Sequence, residues 1–382
     1  MAAVIAAASL FVAGCYRAEE MPKNFFKDYS IMGTSAMLIM PQVGGMTEEA
    51  FLALSDEIYA VLTEADNSLS ATKDTSCVSR FNKADAGAKV EMNQTAFAVL
   101  SLAKQMYEFT EGFYNPAVYY SVQAFGFPLS YGDGVPDSLP DGQTVSAFCS
   151  LASHFNELEL IEENGAYYAV KPEYTVTVGE REYSLAIDLG GIGKGWCADR
   201  VDEILNAHGY EHGLFNFGSS SLAINSYYYN ESKAYSLEIR NPRNSASGIA
   251  SICSVSVKDC NLSTSGDYEQ YYELENLNGT YTRYCHIINP KTGAPIQTGV
   301  SSVTVIGGSA AEDDAITTAL SCMDKRTAVN FINDNLSDKK IIMLIFEGNA
   351  GKIITNCPDE LEKINPDYTL GNQVENGRII IG

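Results

Sequence analysis

Residues 188–195 read Asp-Leu-Gly-Gly-Ile-Gly-Lys-Gly, four glycines and one lysine between an apolar run and an amphipathic stretch, and no other segment restricts the fold as much. Glycine has no Cβ, so it collects where a backbone takes positive φ or lies directly against another group. The following segment WCADRVDEILNAHGY sets Ala198, Val201, Ile204, Leu205 and His208 at helical spacing, with Gly209 as a stop. The pattern predicts a ligand loop through Lys194 and then a helix, whose free amide groups and the lysine charge face an anion such as phosphate. The same residues also suit a tight strand-to-helix connection. The spacing fits neither dinucleotide fingerprint: Trp196 stands where GxGxxG needs its third glycine, and Asp188 and Gly195 break GxxxxGK[ST].

At 382 residues the chain exceeds the usual single-core size, so one domain with subdomains or two domains is expected. Its net charge of −23 argues against nucleic acid or an anionic membrane surface as partner. A phosphate ligand would therefore need imported positive charge, most simply a metal ion.

The first fifteen residues, MAAVIAAASLFVAGC, are apolar but too short to span a bilayer. They resemble a bacterial lipobox ending at Cys15, although no Lys or Arg precedes that cysteine. Residues 1–15 are expected to be a lipoprotein-type signal segment, 16–24 a tether and 25–382 the functional domain. The address implied is the cell envelope, lipid-anchored on the non-cytoplasmic face of the membrane.

Eight cysteines follow Cys15, none in a zinc-ligand spacing, and they read mostly as buried thiols. Helical faces are expected at Phe51, Leu52, Leu54, Ile58, Val61 and Leu62, and again at Phe97, Leu100, Ala103 and Tyr107. LELIEENGAYYAV reads as a hairpin turning at Asn164-Gly165. Strands are expected at 213–217, 253–258, 281–288, 302–306, 341–347 and 352–356. Hairpins mixed with strand-helix-strand units favour an α+β fold.

A second chemical constellation lies in SVTVIGGSAAEDDAITTALSCM, a strand, a Gly-Gly turn and a helix. Asp314 and Thr318 are four apart and share a helix face, a pair suited to a hard cation such as Mg²⁺. Asp313 and Thr317 have the same spacing, so the residues alone leave the register open. An ordinary acidic first turn would explain either pair. His286 ends a strand-like run before an Asn-Pro turn, where a side chain can face a cleft; His154, His208 and His212 lie on helix or loop segments without companion motifs.

Taken in order, these residues resemble the ApbE family, the FAD:protein FMN transferases. The matching positions are Met32-Gly33-Thr34; Leu69-Ser70, Ser76 and Arg80-Phe81-Asn82; Gly112-Phe113 with Pro116; DLGGIGKG with Asp199; Phe217-Gly218; Thr264 to Tyr268; His286 with Pro290 and Thr292-Gly293; and Asp314-Ala315 with Thr318. The resemblance favours Asp314 and Thr318 over the neighbouring register. It implies an α+β, T-fold-related architecture of mixed sheets and helices, with two closely associated subdomains and the active site between them. It also implies Mg²⁺-dependent transfer of FMN from FAD to a threonine hydroxyl of an exported flavoprotein, releasing AMP. His286 would be the base, and Gly193 (by its carbonyl), Asp314 and Thr318 would hold the metal. Met32, Thr34, Asp188, Gly190, Gly191, Lys194, Thr264, Ser265, Gly266 and Tyr268 would bind FAD. The chain departs from the family pattern at Thr72 (usually Tyr), Asn115-Pro116-Ala117 (Asp-Pro-Thr), Ser219 (Gly), Gly193 (Ala) and Asn289 (Asp). Alternatives are a Mg²⁺-dependent FAD pyrophosphatase and a noncatalytic FAD-binding lipoprotein.

Overall fold

Two strands, Val300–Gly307 and Lys340–Glu347, are buried along almost their whole length, Ser301, Ser302 and Thr304 included, as strands covered on both faces are. They pair antiparallel at the centre of a nine-stranded sheet in a computed structural model that describes residues 22–127, 136, 138–218, 220–226, 228, 234–243 and 247–381. The lipobox-like segment ending at Cys15, residues 16–21 of the expected tether, and Ser219 lie outside the described residues. Across the sheet the strands run Asn24–Ile31, Thr34–Pro41, His212–Phe217, Ser221–Ser226, Cys260–Gly266, Val300–Gly307, Lys340–Glu347, Ala350–Thr355 and Tyr368–Leu370. Every neighbouring pair is antiparallel except the last.

Side-chain alternation divides the core in two. Leu38, Phe215, Ala223, Val303, Val305 and Met343 point to the helical face and join the main core. Leu214, Ile224, Leu262, Ile306, Ile342 and Leu344 point the other way, against an outer layer that includes Tyr235–Arg240 and Ser251–Val257. On the helical face Glu48–Leu69 begins at Thr47, whose side chain accepts from the Ala50 amide, and buries Phe51, Leu54, Ile58 and Leu62. Leu52, expected on that face, is exposed. Gln94–Phe109 buries Leu100 and Ala103, and the chain turns beyond it through Gly112 at φ 73°, its amide donating to the Tyr107 carbonyl at 2.7 Å.

The hairpin at 159–170 turns at Asn164-Gly165, both at positive φ, as a two-residue type I′ loop requires. A second hairpin of that kind, unexpected from the sequence, joins the first two sheet strands through Met32 (φ 49°) and Gly33 (φ 70°). The expected strand at 281–288 is divided into Tyr281–Cys285 and Ile288–Asn289. His212 sits in a sheet strand rather than a loop or helix. All eight described cysteines are free thiols, six of them buried. Among the described residues no helix is long and apolar enough to cross a membrane.

Candidate active site

The glycine segment is not the open loop its composition predicts. A helix, Gly190–Ala207, begins within it and carries one non-helical residue, Gly191. Four of its amides are already engaged: Gly190 donates to Asp188 Oδ1 at 2.8 Å, Ile192 and Gly193 to the Leu189 carbonyl, and Gly195 to Asp314 Oδ2 at 3.3 Å. The expected anion cradle of amides 190–195 is therefore largely absent. Two of the glycines, Gly191 and Gly195, serve contact with a second helix, Ala310–Cys322, here the acidic helix. A Cβ on Gly195 would lie 2.1 Å from the Ala310 carbonyl oxygen, and one on Gly191 would lie 3.1 Å from Thr318 Oγ1.

Asp199, two turns further on, fixes this crossing. Its carboxylate accepts from the Ala310 and Ala311 amides and the Ser309 hydroxyl at the start of the acidic helix, and from Asn261 Nδ2. The helix ends as expected near Gly209 (φ 71°), with Ala198, Val201 and Leu205 buried; His208, expected on that face, is exposed and bonded to Glu57.

The acidic helix resolves the choice of register. Asp313 turns away into a buried ion pair with Lys339 Nζ at 2.7 Å. Asp314, 2 % exposed, faces the glycine helix, with the Gly195 amide as its hydrogen-bond donor. Burial raises the Asp314 pKa, while the Lys194 charge and the Gly195 amide pull it back. Ser265 reaches the same region, its hydroxyl 2.8 Å from Thr317 Oγ1 and 3.4 Å from Thr318 Oγ1. Tyr114 adds a hydroxyl that the sequence did not flag: it is buried, has no hydrogen-bond partner, and its pKa is raised by burial and by the fields of Asp314 and Asp188. Its nearest sequence signal is adjacency to the matched Gly112-Phe113 pair.

These groups suit a hard cation in part. A buried carboxylate without an ion pair among the described residues, a half-buried hydroxyl one turn on and an orphaned phenol leave oxygen valences that Mg²⁺ accepts. Among the described residues no three His, Cys, Asp or Glu side chains cluster, so such an ion would take most of its ligands from substrate and water. The expected third donor is altered: the Gly193 carbonyl lies within the helix, not in a loop, and would have to share its lone pairs with the helical ladder.

Lys194 Nζ donates to the Gly190 carbonyl at 2.9 Å, and its field acts on both Asp314 and His286. Thr34 and Gly218 close on it: a Cβ on Gly218 would lie 3.2 Å from Thr34 Oγ1 and 3.8 Å from Lys194 Cδ. Met32 holds the neighbouring turn, half-buried against the main core. Asp188 is placed by its amide bond to the Pro116 carbonyl and by Asn82, which exchanges two 2.8 Å hydrogen bonds with Ile187.

His286 follows the strand Tyr281–Cys285. Its ring Nδ1 lies 3.3 Å from the Gln270 carbonyl oxygen, which can only accept, so Nδ1 carries the proton and Nε2 keeps a lone pair. Burial lowers its pKa to about 4; the Gln270 carbonyl opposes this and Lys194 adds to it.

Three expected cofactor residues, Thr264, Gly266 and Tyr268, stand apart. Thr264 points from the opposite sheet face to Ser265 and bonds Thr304 Oγ1 at 2.9 Å, because successive residues of a strand alternate. Tyr268 lies over Gly266, where a Cβ would be 2.0 Å from the ring, and lines a cavity with Arg240, Arg243 and Arg283. The departures at 115 and 289 have a shared physical basis. Asn115 Nδ2 donates to the Ala152 carbonyl and Asn289 Nδ2 to the Cys322 carbonyl, both at 3.0 Å, which an aspartate could not do. Thr72 is exposed and hydrogen-bonded to Ser70.

A model of the ApbE family matches residues 32–343. A Treponema pallidum protein named FAD:protein FMN transferase is 29% identical over 273 residues, covering 70% of each chain. One of the same name from Escherichia coli K12 is 24% identical over 352 residues, covering 91% of this chain and 92% of that one. Among solved structures, the flavin transferase ApbE from Vibrio cholerae superposes with a TM-score of 0.68 at 23% identity, covering 90% of this chain and 98% of that one. The apo flavinyl transferase ApbE of Pseudomonas stutzeri gives 0.69 at 22% identity, covering 88% and 95%. These likenesses establish the fold.

Proposed function

The chain belongs to the ApbE family, and from that premise we propose that it transfers FMN from FAD to a threonine hydroxyl of a target flavoprotein, releasing AMP. The observation that carries this reading is a buried carboxylate, Asp314, that accepts from the Gly195 amide next to Lys194, together with an imidazole, His286, whose Nδ1 is held by the Gln270 carbonyl so that Nε2 keeps its lone pair. Phosphoryl transfer needs these parts: positive charge for the pyrophosphate and a base for the incoming hydroxyl.

In the reaction the threonine Oγ attacks the FMN phosphorus, the pyrophosphate P–O bond breaks, and AMP leaves with that oxygen. His286 Nε2 takes the hydroxyl proton, its tautomer held by the Gln270 carbonyl. Lys194 draws in the phosphate oxygens, exchanging its bond to the Gly190 carbonyl for a charged acceptor. Asp188, Tyr114 and Ser265 supply polar contacts around the dinucleotide, beside Met32 and Thr34. Asp314 and Thr318 would hold Mg²⁺, which when bound withdraws charge from the pyrophosphate oxygens.

The lipobox-like segment makes Cys15 the proposed lipid anchor, with the enzyme and its exported acceptor in the bacterial cell envelope. Incubation of the chain with FAD, Mg²⁺ and an exported flavoprotein domain should release one AMP for each acceptor labelled. AMP and free FMN with no labelled acceptor would instead identify a pyrophosphatase.

A further inference from the structure

Thr317, beside Thr318 on the acidic helix, is 0 % exposed, so it reaches neither solvent nor a bound dinucleotide. Its hydroxyl nevertheless belongs to a line of three contacts that ends at the expected metal residue. Thr317 Oγ1 donates to the Asp314 carbonyl oxygen at 2.8 Å and lies 2.8 Å from Ser265 Oγ, which in turn lies 3.4 Å from Thr318 Oγ1. The carbonyl bond alone satisfies a buried helical threonine, so packing does not require the line to continue to Thr318.

Counting protons gives the line a direction. A hydroxyl has one proton to donate and two lone pairs with which to accept. A carbonyl oxygen can only accept, so Thr317 spends its proton on Asp314 and offers Ser265 lone pairs alone. The proton between Ser265 and Thr317 therefore comes from Ser265, which leaves Ser265 only lone pairs for Thr318. The proton of the last contact is then that of Thr318, and it points to Ser265. Thr318 Oγ1 keeps its lone pairs for its other side. That side is open where Gly191 has no Cβ, since one built there would stand 3.1 Å from Thr318 Oγ1. Asp314, one turn earlier, faces the same glycine helix.

Resting on the reading that Asp314 and Thr318 hold the metal, we infer that Thr317 is a positioning residue for the cation. Acting through Ser265, it turns the Thr318 proton away, so that a hard divalent ion meets the Thr318 hydroxyl by its lone pairs and not by its hydrogen. With valine at 317, Ser265 would lose its acceptor and turn its proton to Thr318, occupying a lone pair that the ion needs. The same groups that bond to a metal ligand commonly set its orientation, and losing one typically weakens metal binding by roughly 10- to 100-fold. Thr317 thus serves the site from one residue beyond it, without touching the ion or the dinucleotide.

The test titrates the full chain with Mn²⁺, which takes the same oxygen ligands as Mg²⁺, and reads free ion by electron paramagnetic resonance, with no turnover involved. Thr317→Val should weaken Mn²⁺ binding by about tenfold, whereas Thr317→Ser, which keeps the hydroxyl, should stay within about twofold of the parent chain. In AMP release from FAD, Thr317→Val should raise the Mg²⁺ concentration at half-maximal rate by a similar factor. A merely structural loss would lower the rate at every Mg²⁺ concentration and leave that midpoint in place. Circular dichroism reports whether Thr317→Val folds; if it does not, Ser265→Ala breaks the same line from a half-buried strand position and should weaken Mn²⁺ binding likewise. Parent affinity for Mn²⁺ in folded Thr317→Val or in Ser265→Ala overturns the inference, as does an equal loss in Thr317→Ser and Thr317→Val. Mn²⁺ binding that is absent from the parent chain, or that survives Asp314→Asn, overturns instead the metal site on which the inference rests.

Discussion

His286 is poised by one neighbouring carbonyl. Because the Gln270 oxygen can only accept, the proton stays on Nδ1 and Nε2 remains a base; a pKa near 4 keeps it neutral at physiological pH. His286→Gln should lower FMN transfer by two orders of magnitude or more, the usual scale of a lost general base, and leave FAD affinity within about threefold. Near-normal turnover would remove His286 as the base. The same shift sets a stability dependence. The folded pKa lies below the ordinary 6.5, so the unfolded chain binds more protons between about pH 6.5 and 4, and stability falls as pH falls through that window. Urea unfolding at pH 7 and pH 5 should show a smaller loss in His286→Gln than in the parent chain; an equal loss would contradict the neutral imidazole. The two adjacent aspartates should separate cleanly. Asp314→Asn should abolish the response of activity to Mg²⁺ with little change in stability. Asp313→Asn should retain the metal response but lower stability by roughly 1–3 kcal/mol, because the buried Lys339 charge keeps only Glu312, at 3.7 Å, as a partner, readable by denaturant titration. Metal dependence lost only in Asp313→Asn would reverse the assignment.

The crossing of the glycine helix on the acidic helix brings Lys194 to Asp314, and Gly195 permits it. Gly195→Ala should lower stability by about 1–3 kcal/mol, because its methyl group meets backbone rather than a movable side chain. It should also lower transfer; an unchanged melting temperature would mean that the helices are not in close contact there. This element was the least legible in the sequence. Four glycines have poor helix propensity and read as a loop, and only the partner helix reveals why Gly191 and Gly195 lack side chains. Asp199 was visible as a matched residue, but its role as a cap on a helix more than a hundred residues away was not. The Met32-Gly33 hairpin is not legible in the sequence, because methionine at positive φ is no turn signal. By contrast the strands at 302–306 and 341–347 and the helices around Ile58 and Leu100 were plain, since their apolar patterns match burial directly.

At the scale of the whole molecule, the sheet separates two groups of polar side chains. Lys194, Asp314, Thr318, Ser265 and Tyr114 gather on the helical face, whereas the arginine cavity and Thr264 belong to the other. The order of the short motifs along the chain was enough to indicate the family, although the spacing of no single motif was. It does not indicate which face of a strand each matched residue takes, and Thr264, Gly266 and Tyr268 lie apart from the residues they accompany in the motif. Transferase and pyrophosphatase differ in whether a covalent flavin ends on the partner. The most direct measurement is the intact mass of an exported flavoprotein domain after incubation with the chain, FAD and Mg²⁺. A gain of one FMN is expected, absent when the acceptor threonine is valine, when a chelator is present or when the enzyme carries His286→Gln. An acceptor of unchanged mass while FAD is consumed to FMN and AMP would contradict it.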